Sequence, residues 1–308
     1  MKRGIITGIL GWLIFGLWSC EEPVDLTVPI PDPRLVVISN FTLDRDLQVR
    51  VSSSQPSVDL STGNTVLEAK VRLYAGNDLV QQLILVDSVS EPYYTTRDFS
   101  PEPGVAYTLT VSAPGFEPVY GQSLVPPGVP IHQILLENLE RSRDSVSQRQ
   151  QFQYDLSLFF SDPVDQQNFY HLHLYQEFIT FRLVGTDTLN TGRVLRRIRF
   201  DEQNTNNLQV VHYDGSVLFE DTPFNGADQV LSLPIVIRFD DTREYPGRLI
   251  AELRAVTEDY YLFHTSLSRQ QQSPDQPFAD PVLLYNNIRN GHGVFAGYSS
   301  STTSVSVR

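Results

Sequence analysis

The chain of 308 residues is poor in cysteine, tryptophan and methionine, which occur once, twice and once. With Cys20 as the only cysteine, no disulfide can form within the chain, so burial of apolar side chains must supply the stability. Both tryptophans, Trp12 and Trp18, precede Cys20, which argues against a tryptophan platform for sugars in the remainder. Seventeen phenylalanines and fourteen tyrosines beside one methionine are typical of a rigid β core.

Basic residues are also few, with 23 Lys and Arg against 36 Asp and Glu and a net charge of −13. A polyanion such as DNA would be repelled, and no basic stripe interleaved with aromatic residues occurs. The one arginine cluster has a near-alternating spacing, which favours the solvated face of a strand; it consists of Arg193, Arg196, Arg197 and Arg199. Nucleic acid is therefore not an expected partner.

A long hydrophobic run is absent too. The apolar stretch from Ile5 to Trp18 has about fourteen residues, fewer than a membrane-spanning helix needs. It follows Lys2 and Arg3 and ends near Cys20, an order that is typical of a secretory signal peptide. A cysteine at the cleavage point resembles the lipobox of bacterial lipoproteins, whose cysteine carries acyl chains such as palmitate. We predict a signal peptide over residues 1–19 and lipidation at Cys20; the alternatives are a retained membrane anchor and an incidental cysteine.

Residues 20–33 are acidic and rich in proline, and they predict a semi-extended tether. The cluster Glu21, Glu22 and Asp25 resembles the signal that sends Bacteroidota lipoproteins to the outer face of the outer membrane. We therefore expect an outer-membrane lipoprotein exposed at the cell surface. The alternative is a solvated linker on a protein that faces the periplasm.

The rest of the chain predicts an all-β fold. Residues 34–126 contain six or seven short alternating segments separated by turns, such as Val105–Val111, which favours an immunoglobulin-like β-sandwich. The stretch Pro126–Pro130 is the best domain boundary. Residues 131–308 are predicted to form a second β-rich sandwich or barrel domain, and the polar stretch Glu140–Gln151 is predicted to be a hairpin loop.

One segment departs from this alternation of apolar and polar residues. Thr257, Glu258 and Asp259 have the character of an N-cap and an acidic first turn. The apolar residues that follow do not alternate with a period of two, so one amphipathic helix is predicted over residues 258–270.

The C-terminal residues carry a family resemblance. Pro277–Val282 and Asn287–Tyr298, together with the lipobox, the Leu35–Val37 strand and the Phe160–Tyr170 stretch, resemble Bacteroidota lipoproteins grouped as domain of unknown function 4249. The resemblance covers most of the chain after Cys20. It implies an accessory envelope lipoprotein, often encoded beside outer-membrane receptors of the TonB-dependent kind, and it implies no reaction.

Few residues suggest chemistry. His171 and His173 lie two apart on a predicted strand, so that both rings point to one face and could hold a metal with a third ligand. The favoured interpretation is a solvated polar face beside the core residues Leu172 and Leu174. Calcium is a further alternative for two loop sets, Asp162 with Asp165 and Asn168, and Asp240 with Asp241, although turn stabilisation is favoured.

Other motifs are weaker. Gly291, Gly293 and Gly297 lack the context and the lysine of a phosphate loop, and they favour a tight turn with close backbone packing. No Gly-x-Ser-x-Gly elbow occurs, and nothing selects one carboxylate pair as a glycosidase acid and base. Three short sequences resemble the Asp-Ser/Thr-aliphatic acceptor of Bacteroidota O-glycosylation: Asp87-Ser88-Val89, Asp144-Ser145-Val146 and Asp187-Thr188-Leu189.

The sequence thus predicts no catalytic residues, no cofactor and no metal. The first functional hypothesis is a non-enzymatic lipoprotein that assists a TonB-dependent receptor barrel in uptake or envelope assembly. The second is a free-standing surface adhesin or ligand-binding protein, and the third is a hydrolase with a cryptic carboxylate site.

Overall fold

In a computed structural model of the chain, the residues described are 32–54, 65–146, 149–164, 166–185, 187–199, 210–222, 225–272 and 282–307. The predicted signal peptide and Cys20 lie outside these residues. The strands are β1 (Leu35–Phe41), β2 (Gln48–Ser53), β3 (Lys70–Ala75), β4 (Asp78–Gln82), β5 (Ile84–Val86), β6 (Tyr93–Thr95), β7 (Ala106–Ser112), β8 (Val119–Leu124), β9 (Ile131–Arg143), β10 (Gln150–Ser161), β11 (Phe169–Val184), β12 (Asp187–Ile198), β13 (Val211–Tyr213), β14 (Ser216–Glu220), β15 (Asp228–Phe239), β16 (Glu244–Val256) and β17 (His292–Ser306). One helix, α1, spans Glu258–Gln272.

The first β-sandwich has one sheet in the order β4-β3-β7-β8 and a second that includes β17-β1-β2-β6-β5. Alternate residues of each strand point inward, as with the buried Leu109 and Val111 of β7. Phe41 on β1 stacks on Phe295 on β17 with 4.6 Å between the ring centroids. Apolar burial between the sheets therefore holds this half of the protein together, and the predicted sandwich is confirmed.

The remaining strands form a second pair of layers. The long sheet continues from β17 through β16 and β11 to β14 and β13, and it packs on a three-stranded sheet in the order β15-β10-β9. Leu156 and Leu158 of β10 and Leu172 and Leu174 of β11 are fully buried between the two layers. Of the two predicted alternatives for this block, sandwich and barrel, the structure shows the sandwich arrangement.

Strand β17 belongs to both halves. It runs antiparallel to β16 and parallel to β1, where Val36 pairs with His292 and Phe41 with Gly297. A Cβ at Gly297 would lie 1.9 Å from the carbonyl oxygen of Leu124, so β8 crosses the strand at backbone contact. The last strand of the chain therefore completes the core of the first sandwich. The division into domains at residues 126–131 stays a prediction.

Helix α1 confirms the segment predicted over 258–270. The Thr257 hydroxyl accepts a hydrogen bond from the backbone N–H of Tyr260, which caps the first turn. The buried side chains, among them Tyr260, Phe263 and His264, face strands β11, β13 and β17. No helix within the described ranges is long and apolar enough to span a bilayer.

The predicted loop Glu140–Gln151 is shorter than expected. Strand β9 continues to Arg143 and β10 begins at Gln150, and the N–H of Asp144 donates to the carbonyl of Arg149 at 2.8 Å. The two long strands stay paired through this polar stretch. Polar side chains are accommodated there because the outer faces of the strands are exposed to solvent.

Candidate functional site

A polar layer lies between helix α1 and the long sheet. His171 and His173 on β11 and His264 on α1 are 1%, 3% and 5% exposed. The ring centroids of His171 and His173 are 4.0 Å apart, and His264 lies 6.3 Å from His171. The favoured prediction of a solvated face for the pair was wrong, because α1 covers this side of β11.

The hydrogen bonds of His171 have a fixed direction. The Ser216 hydroxyl donates to the carbonyl of Tyr213, so it accepts from the Nε2–H of His171 at 2.5 Å. With its proton on Nε2, neutral His171 accepts a hydrogen bond at Nδ1 from the Tyr260 hydroxyl at 2.9 Å. Strand β11 is thereby linked to both β14 and α1 through one ring.

An ion pair lies in the same layer on β16. Arg254 is opposite His171 and Glu252 is opposite His173 in the ladder. The Arg254 guanidinium donates to both oxygens of Glu252, at 2.7 and 3.1 Å, and lies 4.6 Å from the centroid of Tyr298. Burial raises the pKa of Glu252, but the hydrogen bond and charge of Arg254 outweigh it, so the net pKa is below the ordinary value.

All three histidines of the layer are neutral at pH 7. Burial holds the pKa of His171 well below its ordinary value of 6.5, and the adjacent His173 lowers it further. Burial together with the charge of Arg254 lowers the pKa of His173 to about 3 and that of His264 to about 4. A proton added to any of these rings would be placed in a site without solvent.

Neutral imidazoles are also metal ligands, which bears on the metal alternative for the histidine pair. Both ring nitrogens of His171 are engaged, while both nitrogens of His173 and Nδ1 of His264 have no hydrogen-bond partner within the described part of the chain. Within the described part of the chain, no group of three or more His, Cys, Asp or Glu side chains is placed so that it could hold a metal ion. The hydrogen bonds of this layer fasten α1 to the sheet.

Two of the carboxylates considered for calcium, Asp162 and Asp240, accept hydrogen bonds from other residues of the protein. Asp162 accepts hydrogen bonds from the Tyr170 hydroxyl and from the N–H of Gly226. Asp240 accepts from the N–H and hydroxyl of Thr242. Asp165 lies outside the described residues. The bonds of Asp240 support the favoured interpretation of turn stabilisation, whereas those of Asp162 join the end of β10 to β11 and to Gly226.

A second site was not identified from the sequence: the outer edge of strand β12. One edge of β12 pairs with β11 from Leu174–Ile198 to Val184–Asp187, and in the described ranges no strand pairs with the other edge. Along its twelve residues, the alternate backbone N–H and C=O groups that do not face β11 therefore point to the outside. The only sequence signal was the alternation around the arginine cluster.

Ion pairs hold the arginines of this edge. Arg193 pairs with Glu177, Arg197 with Asp214, and Arg196 with the buried Glu244. The Arg196–Glu244 pair is bidentate, at 2.7 and 2.6 Å, and the guanidinium lies 4.5 Å from the Phe178 centroid. Because each charge is compensated, the edge carries little net charge despite its composition.

Large apolar side chains are exposed along the same β11–β12 hairpin and its neighbour β16. They are Leu183, Leu189, Val194, Leu195 and Tyr245, with exposed fractions from 38% to 65%. Apolar side chains beside an unpaired backbone edge are a feature of surfaces that accept another strand.

The other predicted sites do not come together in one place. Close backbone packing is confirmed for Gly293 and Gly297, where a Cβ would lie 1.9 Å from a carbonyl oxygen. Ser88 and Ser145 lie in exposed connections, and Thr188 is exposed on β12. O-glycosylation at these positions stays a prediction.

Comparison with known proteins gives the family of this fold. No curated protein matches the chain. A family described as Domain of unknown function (DUF4249) matches residues 21–304, a span that includes every strand and the helix except the last residues of β17. The chain therefore belongs to the DUF4249 family.

Proposed function

We propose that this chain is a lipid-anchored accessory protein of the bacterial outer membrane that binds a partner protein and catalyses no reaction. The edge of β12 that no described strand pairs with, together with its exposed apolar side chains, is the observation that supports partner binding. The partner proposed is a TonB-dependent receptor barrel, which the accessory protein would assist in uptake or envelope assembly.

The chemistry of the edge selects the kind of contact. A free strand edge is satisfied by a second strand, whose backbone supplies the complementary hydrogen bonds while alternate side chains set specificity. Leu195 and Leu189 would be covered in such a contact, which adds apolar burial to the ladder. An extended segment of the barrel's surface loops is therefore the proposed occupant.

The absence of catalysis is supported by the position of the perturbed groups. Among the groups with strongly shifted pKa values are three histidines and one arginine that lie beneath α1: His171, His173, His264 and Arg254. Catalytic groups with shifted pKa values act where substrate can reach them. In this protein the shifted pKa values belong to buried groups that attach helix α1 to the sheet.

Attachment to the membrane would depend on Cys20. Lipidation at that position, followed by the acidic residues Glu21 and Glu22, would hold the folded part at the outer membrane and expose it at the cell surface. An anchor also raises the effective concentration of the protein around a partner in the same membrane.

The test is a pull-down of the tagged full chain from native outer membranes in mild detergent, followed by mass spectrometry. The proposal expects a stoichiometric barrel protein with the wild type, and loss of membrane attachment in the Cys20→Ser variant. A wild-type protein that is recovered alone would contradict the accessory role.

A second candidate function is a free-standing surface protein that binds a ligand. A polar groove lined by Arg34, Arg289 and His292 favours it, since a ligand could bind there without a partner protein. The groove lies on the first sandwich and does not involve β12.

A further inference from the structure

The polar groove lies at the end of the first sandwich where β1 and β17 begin. The two strands are parallel and Val36 pairs with His292, so Arg34 and His292 lie at the same end. The segment before β17 pairs with β8, where the N–H of Arg289 donates to the carbonyl of Tyr120 at 2.8 Å. The groove between them has a volume of about 970 Å³, the size of a site for a small organic ligand.

The wall of this groove is rigid. Asn287 accepts from the N–H of Phe295 and donates to its carbonyl, at 2.9 and 2.8 Å. Asn286 donates to the carbonyls of Ile288 and Gly291, at 3.1 Å each. The lack of a side chain at Gly291 lets the segment lie against β1, since a Cβ there would be 2.6 Å from a backbone oxygen of that strand. The segment is therefore preorganised for binding.

The charge of the groove is opposite to that of the protein. Arg34, Arg289 and His292 line it and are exposed, and no Asp or Glu is among its described lining residues. Neither arginine forms an ion pair with any residue that the structure describes. Several other arginines are paired with carboxylates, such as Arg196 with Glu244 on β16, and the whole chain has a net charge of −13. Two such guanidinium groups in an acidic protein form a local attractor for anions.

Neutral polar groups surround these cations. Thr108, Tyr120 and Gln122 line the same groove. The Arg289 guanidinium lies 5.5 Å from the centroid of the Tyr120 ring, which limits where that charge can point. Hydroxyl and amide groups beside a positioned guanidinium suit a ligand that has both an anionic and an uncharged polar part.

We propose that this groove binds an oxyanion, a phosphate or carboxylate group of a small polar ligand, through Arg34 and Arg289. The same chemistry is available from a free solute or from an anionic lipid headgroup, and the experiment separates these sources. The proposal does not depend on partner binding at β12.

The experiment uses the full chain in neutral detergent and titrates it calorimetrically with sodium phosphate and with sodium succinate, against sodium chloride of equal ionic strength. The variant is Arg34→Gln/Arg289→Gln. The matched control is Arg50→Gln, which removes an exposed arginine of β2 that is paired with Glu91 outside the groove. Because a charged hydrogen bond is lost at each position, affinity should fall at least about tenfold in the double variant and stay unchanged in the control.

A second arm measures flotation of the Cys20→Ser chain with vesicles of phosphatidylcholine alone or mixed with phosphatidylglycerol. Saturable binding of phosphate or succinate that the double variant loses identifies a free solute. Selective flotation with phosphatidylglycerol that the double variant loses identifies a headgroup. Binding that is equal in wild type and double variant, or no binding in either arm, overturns the proposal.

Discussion

The hydroxyl of Tyr260 on helix α1 lies 2.9 Å from Nδ1 of His171 on strand β11, and it donates the proton of that hydrogen bond. The opposite nitrogen of the ring donates to Ser216 on β14, so this one imidazole links α1, β11 and β14. The buried face of the helix is therefore held by hydrogen bonds as well as by the apolar contacts of Phe263.

Replacement of this donor tests its contribution. Tyr260→Phe leaves a buried acceptor on His171 unsatisfied, which should lower the free energy of unfolding by about 1–3 kcal/mol. Urea unfolding measures it, with Tyr261→Phe as the control because Tyr261 is the adjacent, partly exposed residue of α1. Equal stabilities of the two variants would contradict the assigned bond.

The stability should depend on pH through the buried histidines. An unfolded histidine takes up a proton below pH 6.5, whereas folded His264 and His173 do so only near their pKa values of about 4 and about 3. Their folded pKa values are lowered, so stability is complete above pH 6.5 and falls as the pH decreases through this window. Each such histidine should remove about 1.4 kcal/mol per pH unit.

Urea unfolding between about pH 7 and about pH 5 checks this slope. The Tyr261→Phe variant keeps every histidine and should keep the wild-type slope. A wild-type free energy of unfolding that does not change over this range would show that the three rings are not buried in the neutral form.

His171 and His173 should respond differently to the same substitution. Both nitrogens of His173 are buried with no hydrogen-bond partner among the described residues, so His173→Leu should be close to neutral in stability and should reduce the pH slope. His171→Leu leaves the Tyr260 hydroxyl without its acceptor, and it should cost about 1–3 kcal/mol. The comparison is made by urea unfolding at pH 7, and a larger loss for His173→Leu would reverse the assignment.

Much of the architecture followed from local patterns. The alternation of Val105–Val111 predicted β7, and Thr257 with two acidic residues predicted the start of α1. What the pattern could not give was the partner of each strand. The parallel pairing of β1 with β17 joins residues from opposite ends of the chain, and no periodicity encodes such a contact.

The site shows the same limit. Spacing placed His171 and His173 on one face, and this was confirmed by the distance between their rings. The face was assigned to solvent because β11 carries its leucines on the other side, and the sequence contains no sign that α1 returns to cover it. The groove arginines, Arg34 and Arg289, are far apart in sequence and meet only through the β1–β17 pairing.

The crossing of β8 over β17 predicts a strict requirement for glycine. Gly297→Ala would place a methyl group 1.9 Å from the Leu124 carbonyl, and since backbone must move, a loss above about 3 kcal/mol is expected. Gly128→Ala is the matched control, because its Cβ would meet only Ser299 at 3.6 Å. Thermal unfolding compares the two, and similar midpoints would contradict the close approach.

The most direct test of partner binding at β12 compares two substitutions of the same residue type. Leu195 on β12 and Leu79 on β4 are both 54% exposed, and each lies on an edge strand of its sheet. A lysine on the docking edge would be desolvated in the complex, so Leu195→Lys should reduce the barrel protein recovered from native membranes at least about tenfold. Leu79→Lys should recover as much barrel as the wild type. Equal recovery with both variants, or no barrel with the wild type, would contradict the account.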